Sequence, residues 1–462
     1  MRPIPAAAGD LDASAKVAAR NVRCVETSTA LLTDQYELTM LQAALRAGTA
    51  ERRAVFEVFA RSLPAGRRYG VVAGTGRLLD AIADFRFGTD ELDFLTGNGI
   101  VDEPTAKWLS SYRFTGDVYG YPEGECYFPN SPILSVEGTF AEAVLLETVV
   151  LSILNYDSAI ASAASRMAVA AGDRPLIEMG SRRTHERAAV SAARAAHIAG
   201  FATTSNLAAG RAYGVPTGGT AAHAFTMLHD SERHAFEAQL ASLGDGTTLL
   251  VDTYDVERAV KTAVELAGPA LGAVRIDSGD LADLARRVRA QLDALGARAT
   301  RIIVTGDLDE HGIAALAAAP VDGYGVGTSL VTGSGAPTAS LVYKLVARAD
   351  RPGEDAPLRP VAKRSTGKPT IGGRKRALRR LDVHGVACAE VVTVGEPAPG
   401  VRDRLLQVPL VRGGEIVGRE PLTAARDRHR AVVAELPPQA RQLSRGEPAL
   451  PTEIVADGPQ GG

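Results

Sequence analysis

The sequence predicts an irregular, TIM-like βα barrel with a flanking α+β domain built from the two ends of the chain. The first observation is rhythm: between residues 141 and 344, short apolar strands alternate with helices roughly every 20 to 30 residues, as a βα array requires. The second is where polar residues fall. Arg182, Ser205, His223, Asp252, Asp277, Asp307 and the pair Thr328–Ser329 each sit at the carboxyl end of a strand. A barrel gathers those ends on one face, where active sites form. An open doubly wound sheet uses only the ends at a switch point, so a polar residue at every end favours the barrel.

The elements follow in order. Residues 1 to 27, alanine-rich and interrupted by Asp10 and Asp12, read as a loosely ordered leader with no signal-peptide core. Residues 28 to 140 hold a helix ("TDQYELTMLQAAL") and strand-like pieces ("AVFEVFAR", "GDVYGYPEG", "SPILSVEG") forming a small antiparallel layer. The run "AVLLETVVLSIL" at 143 to 154 contains Glu147 and is too short to span a bilayer, which makes it a buried helix. Strands of the array are "PLIEMG", "GFATTS", "VPTGGT", "TTLLVDTYD", "GAVRIDSGD", "RIIVTGD" and "VDGYGVGTS". They are short and apolar, as in a parallel sheet covered on both faces. Short strands return in residues 345 to 436, expected to pack on the amino-terminal domain. Residues 437 to 462, rich in proline and glycine, read as irregular.

Composition narrows the function classes. A net charge of −3, from 51 basic and 54 acidic residues, gives no electrostatic footprint for nucleic acid. The three cysteines, Cys24, Cys126 and Cys388, are far apart and form no metal or disulfide pattern, which suits a reducing cytoplasm. No resident metal site is expected. Any anion must be met by local groups.

Several strand ends supply such groups. "GVGTSL" (325 to 330) reads either as a backbone cradle for phosphate or as a plain glycine turn. In "RIDSGD" (275 to 280), Asp277 suits a ribose diol, while Ser278 or Asp280 would cap the next helix. Capping leaves Arg275 unexplained, because a cation inside a strand calls for an anionic partner. "VTGD" repeats the arrangement: Gly306 admits a ligand to the backbone and Asp307 adds a carboxylate, suited to a sugar or to Mg²⁺ carried by phosphates. Asp252 faces inward or caps a helix. Arg182 and Arg183, at a strand end and helix start, oppose the helix dipole by about 0.3–1 kcal/mol each, which points to an anion holding them. In "GVPTGGTAAHAFTML" (214 to 228), His223 stands alone among small residues, without a metal-ligand partner. It reads as a structural histidine, a general base, or a nucleophile that takes a phosphoryl group.

Taken together, these residues resemble the nicotinate phosphoribosyltransferase family. "LLTDQYELTM", "EMGSRR", "TSNLAAG", "GTAAHAF", "RIDSGDL", "VTGDLD", "GVGTSL" and "KRSTGKPTIGGRKRALR" follow in family order across residues 30 to 430. The resemblance implies a type II phosphoribosyltransferase barrel that joins nicotinate to phosphoribosyl pyrophosphate, yielding nicotinate mononucleotide and pyrophosphate for NAD salvage. ATP hydrolysis, with Mg²⁺ accompanying ATP and phosphoribosyl pyrophosphate, would be coupled through phosphorylation of His223. It further implies that Tyr36 stacks on nicotinate across a homodimer interface. Thr220 and Arg275 would contact nicotinate, and Met179 stands where related enzymes place a second aromatic. Arg182, Asp277, Gly306, Asp307, Gly327 and Thr328 would line the phosphoribosyl and phosphate site. The rival readings are a nicotinamide phosphoribosyltransferase, disfavoured because Thr203, Thr204 and Ser205 bring no acid to one strand end, and a non-catalytic metabolite-binding barrel.

Overall fold

The computed structural model describes residues 28–363 and 370–456. The leader, Cys24, residues 364–369 of the lysine- and glycine-rich segment, and the last six residues of the tail lie outside them.

Six short parallel strands form the central sheet: Leu176–Glu178, Thr203–Thr204, Thr248–Leu250, Ala273–Ile276, Arg301–Val304 and Gly323–Val326. Four successive strands pair in chain order from Thr248–Leu250 onward, and the last, Gly323–Val326, pairs back onto the first, Leu176–Glu178. The sheet therefore curls round, and it stays open between Thr203–Thr204 and Thr248–Leu250. Helices such as Glu186–Ile198, Val256–Ala267 and Leu281–Ala294 intervene between strands. Their small apolar residues join Val274, Ile276, Ile302, Val304 and Tyr324 in one core.

The seventh expected strand is absent. "VPTGGT" makes only a single bridge, Thr217 to Thr204, and spans the open edge without a ladder. Pro216 lacks a ladder donor, and Gly218 and Gly219 offer no side chain to pack. His223 consequently does not end a strand; it is the first residue of the helix His223–Leu228.

The flanking sheet is antiparallel and draws on both ends of the chain. Its seven strands run Leu358–Pro360, Leu341–Pro352, Arg52–Ala60, Leu134–Thr139, Asp117–Gly120, Val408–Arg412 and Glu415–Ile416 across the sheet. Phe56 faces Val136 on one neighbour and Leu345 on the other, and stacks on Tyr343 with centroids 4.9 Å apart. A further sheet joins Asp403–Leu405, Lys375–Leu381, Ala387–Val394 and Thr452–Ala456. That last strand corrects the expectation of an irregular tail: Thr452–Ala456 runs parallel to Ala387–Val394.

The helix Glu147–Ala171 links the two cores. Val149, Val150, Ile153 and Leu154 pack into the flanking core, whereas Ile160, Ala161, Ala164 and Met167 pack into the core of the curled sheet. A helix buried along its length against two layers needs apolar residues on most faces, which explains the run noticed in the sequence. The helix starts at Glu147 and not at 143, because Thr139 and Glu142 form a capping box around a separate short helix, Phe140–Val144. Among the described residues no helix is long and apolar enough to cross a membrane.

Candidate active site

The carboxyl ends of the parallel strands open onto a cavity of about 810 Å³. Arg275 forms one wall. Its neighbours Val274 and Ile276 are fully buried, and strand alternation turns Arg275 to the other face. Its Nη1 donates to Thr220 Oγ1 at 2.7 Å and to the Ala221 carbonyl at 3.3 Å. The nearest carboxylate oxygen, Asp277 Oδ1, is 3.9 Å from Nη2. Burial lowers the guanidinium pKa, with Asp277 and Asp252 opposing and Arg182 adding to the fall. Among the described residues Arg275 is thus a largely buried cation without a close anion, a costly arrangement unless a ligand supplies one.

His223 is not itself a lining residue; it follows Ala222, which lines the cavity, and lies against Asp277, which does so too. Its Nδ1 lies 3.1 Å from Thr253 Oγ1. Its Nε2 lies 3.9 Å from Asp252 Oδ1 and 3.8 Å from Asp277 Oδ2. Asp252 is buried and faces inward, and the cap it might have formed belongs to Asp255. Asp252 Oδ2 accepts the Asp277 N–H at 2.8 Å and the Ser278 hydroxyl at 2.9 Å, while Oδ1 has no partner. Asp277 Oδ1 also accepts the Thr305 hydroxyl. Ser278 therefore orients a carboxylate and does not cap; Asp280 caps the helix Leu281–Ala294. The imidazole stands between a hydroxyl and two carboxylates.

The remaining candidates surround this centre. Met179, Arg182, Arg183, Asp307, Gly327 and Thr328 all line the cavity. Gly306 has φ +114°, and a Cβ there would lie 2.7 Å from the Asp277 carbonyl, so only glycine fits this close approach. A Cβ on Gly325 would lie 2.8 Å from Met179 Sδ, which places the thioether against the floor. The two arginines are exposed, but not at a helix start: the following helix begins at Glu186 and is capped by His185. Their cavity position, and not the helix dipole, makes them available to an anion.

Tyr36 is the candidate that the fold does not bring to this cavity. It is 45% exposed on the helix Gln35–Arg46, where burial of the phenol and the nearby Glu147 raise its pKa. Sequence reasoning also passed over Thr253, Thr305 and Glu178. Glu178 left a trace, since an acid inside "LIEMG" is as anomalous as the arginine inside "AVRID". Cys126 is a buried free thiol and Cys388 an exposed one.

Relatives share this architecture. The family model for the nicotinate phosphoribosyltransferase (NAPRTase) N-terminal domain matches residues 31–155. Nicotinate phosphoribosyltransferase pncB1 of Mycobacterium tuberculosis is 60% identical over 435 residues, covering 92% of this chain and 95% of the relative. The chain belongs to the nicotinate phosphoribosyltransferase family. The nicotinate phosphoribosyltransferase of Bacillus subtilis is 38% identical, with 77% of this chain and 74% of that one covered. Among solved structures, human nicotinic acid phosphoribosyltransferase superposes with a TM-score of 0.77 at 25% identity, over 92% of this chain and 97% of that one. The family's mixed α/β fold, with its curled parallel sheet, is the frame on which the cavity is built.

Proposed function

We propose that this chain is an ATP-dependent nicotinate phosphoribosyltransferase, making nicotinate mononucleotide and pyrophosphate from nicotinate and phosphoribosyl pyrophosphate in NAD salvage. In this reading the curled sheet is the type II, TIM-like barrel of the family, opened at one edge. The carrying observation is Arg275, buried beside Thr220 with no anion closer than 3.9 Å. The nicotinate carboxylate supplies that anion, and a charge-assisted contact of this kind is worth about 1.5–3 kcal/mol. At ~1.4 kcal/mol per decade, it favours nicotinate over nicotinamide by ten- to a hundredfold.

Asp277 and Asp307 accept the ribose hydroxyls, Arg182 meets a phosphate, and Gly306, Gly327 and Thr328 offer a close backbone surface. His223 accepts the γ-phosphoryl group of ATP on a ring nitrogen as ADP leaves; water later takes that group as phosphate. Asp252 and Asp277 flank the ring meanwhile. Among the described residues no cluster forms a protein-only metal cage. A Mg²⁺ brought in by phosphates needs only one or two carboxylates; Asp252, with its unpartnered Oδ1, and Asp277 would hold it, and it would neutralise phosphate charge. Tyr36, exposed and apart from the cavity of its own chain, is read as serving the cavity of a second copy, which makes the working unit a homodimer. The enzyme acts in the cytoplasm on small molecules.

The test is mononucleotide formation by the purified chain with phosphoribosyl pyrophosphate and Mg²⁺, comparing nicotinate with nicotinamide, each with and without ATP. Product from nicotinate, raised by ATP, is the expected result. Product from nicotinamide alone would shift the specificity to the amide, and no product from either would favour a binding barrel.

A further inference from the structure

Beneath the open edge of the curled sheet lies a carboxylate that the chemistry above leaves idle. Glu178 ends its strand 1% exposed. Its Oε1 accepts the Gly180 N–H and its Oε2 accepts the Thr204 hydroxyl. Thr204 Oγ1 in turn accepts the Asn206 N–H at 2.9 Å, and Asn206 Nδ2 donates to Ser181 Oγ at 3.0 Å. The Thr204 main chain reaches the other way: its N–H donates to the Pro216 carbonyl at 2.9 Å, and its carbonyl accepts the Gly218 N–H at 3.0 Å.

One acid and one threonine thus tie together separate pieces of cavity wall. These are the 180–183 loop with its arginines, the turn at Asn206, and the glycine segment that runs on to Thr220 and His223. Other ties are the Met179 N–H to the Val326 carbonyl at 2.8 Å, the Ser205 N–H to the Glu178 carbonyl at 2.9 Å, and, at the far end of the glycine segment, Arg275 on Thr220 and Ala221 and Thr253 on His223. The ladder between the two strands is only two residue pairs long, Ile177 to Thr203 and Glu178 to Thr204, and the glycine segment adds a single bridge. Gly180 has no slack, since a Cβ there would lie 2.2 Å from Val331 Cγ1 and 3.0 Å from the Gly327 carbonyl. Burying a carboxylate is unfavourable, and an apolar side chain would suit this strand better. What the carboxylate adds is a two-point link between loops that backbone pairing barely joins.

We propose that Glu178 is a positioning residue that sets the spacing between the arginine loop and the histidine-bearing segment, and so the fit of the phosphoribosyl substrate. The inference rests on the function proposed above.

Its test compares Glu178→Ala, Glu178→Gln and Thr204→Val with the parent enzyme. KM and kcat would be measured for both substrates, with binding of phosphoribosyl pyrophosphate and Mg²⁺ followed by calorimetry on protein shown to be folded. Glu178→Ala should raise KM and Kd for phosphoribosyl pyrophosphate about tenfold or more, and Thr204→Val by about threefold or more. Glu178→Gln should stay within about threefold of the parent, because its amide oxygen still accepts the Gly180 N–H and the Thr204 hydroxyl can accept from its NH₂. A merely structural acid would lower the folded fraction and leave KM and Kd alone, and that result in Glu178→Ala overturns the proposal. Should Glu178→Ala fail to fold, Thr204→Val decides by the same criterion. A parent enzyme that binds phosphoribosyl pyrophosphate but forms no mononucleotide would sink the catalytic reading while binding still judges Glu178; one that does neither overturns both.

Discussion

Arg379 and Arg275 are the same residue type in two regions, and their surroundings differ in an instructive way. Arg379, in the smaller flanking sheet, is 0% exposed; its Nη2 lies 2.8 Å from Glu390 Oε2 and donates to the Cys126 carbonyl at 2.8 Å. Lys375, at the start of the same strand Lys375–Leu381, is paired at 2.9 Å with buried Glu57. Arg275, at the cavity mouth, has a hydroxyl and a carbonyl for partners and a carboxylate no closer than 3.9 Å. In the flanking region charge closes on itself and holds the fold. At the mouth the cation lines the cavity, and the carboxylate that approaches it stays at 3.9 Å. A buried charge marks a function only when its partner is missing.

That contrast can be broken experimentally, and the largest expected effect is at the mouth. His223→Ala should remove the ATP-stimulated part of product formation by about 10²–10⁴-fold, with Tm little changed because the ring is only partly buried. Initial rates with and without ATP check this; an unchanged ATP response would take the imidazole out of the chemistry. Next, Arg379→Ala should destabilise the chain by about 3–5 kcal/mol, since it strands buried Glu390. Denaturant unfolding measures the loss, and KM in the surviving folded fraction should not move. Arg275→Ala should invert that pattern, raising KM for nicotinate about 10- to 100-fold at nearly constant stability. If both arginines moved stability alone, the contrast would fail.

A smaller effect is expected at Gly306→Ala, where φ +114° and the Asp277 carbonyl leave no room for a Cβ. Strain of about 1–3 kcal/mol should appear as weaker binding of phosphoribosyl pyrophosphate, readable by calorimetry. The last prediction concerns His429 on the helix Leu422–Glu435, whose Ala425 and Val432 pack into the core of the curled sheet. Burial pushes the pKa of His429 down to about 4 from an ordinary 6.5. The unfolded chain therefore binds the extra proton first as pH falls. The stability tied to the neutral ring is complete above pH ~6.5 and declines toward pH ~4, by up to ~1.4 kcal/mol per unit. Unfolding curves across that window should show the slope, and His429→Gln should reduce it to the share left by His197, which burial and Arg426 likewise push down to about 4.

The sequence announced some of this site and concealed the rest for a physical reason. Arg275, Asp277 and Asp280 are neighbours in the chain, so one motif displays a cation, an acid and a cap together. Asp252 bonds to Ser278 across 26 positions and Glu178 to Thr204 across another 26; only strand pairing brings these together. The gap in the curled sheet was hidden as well, because "VPTGGT" has a strand's length but, with its proline and glycines, no strand's capacity to pair. Tyr36 illustrates a third limit: the family resemblance gives it a role at the site, yet it does not line the cavity of its own chain.

The most direct test of the account is transfer of phosphate from ATP to the mouth of the curled sheet. Incubation with ATP labelled at the γ-phosphate and Mg²⁺ should give an acid-labile, base-stable phosphoprotein in the parent chain and none in His223→Ala. Equal labelling of both proteins would contradict the central claim that His223, set between Asp252 and Asp277, is the group that carries the phosphoryl transfer.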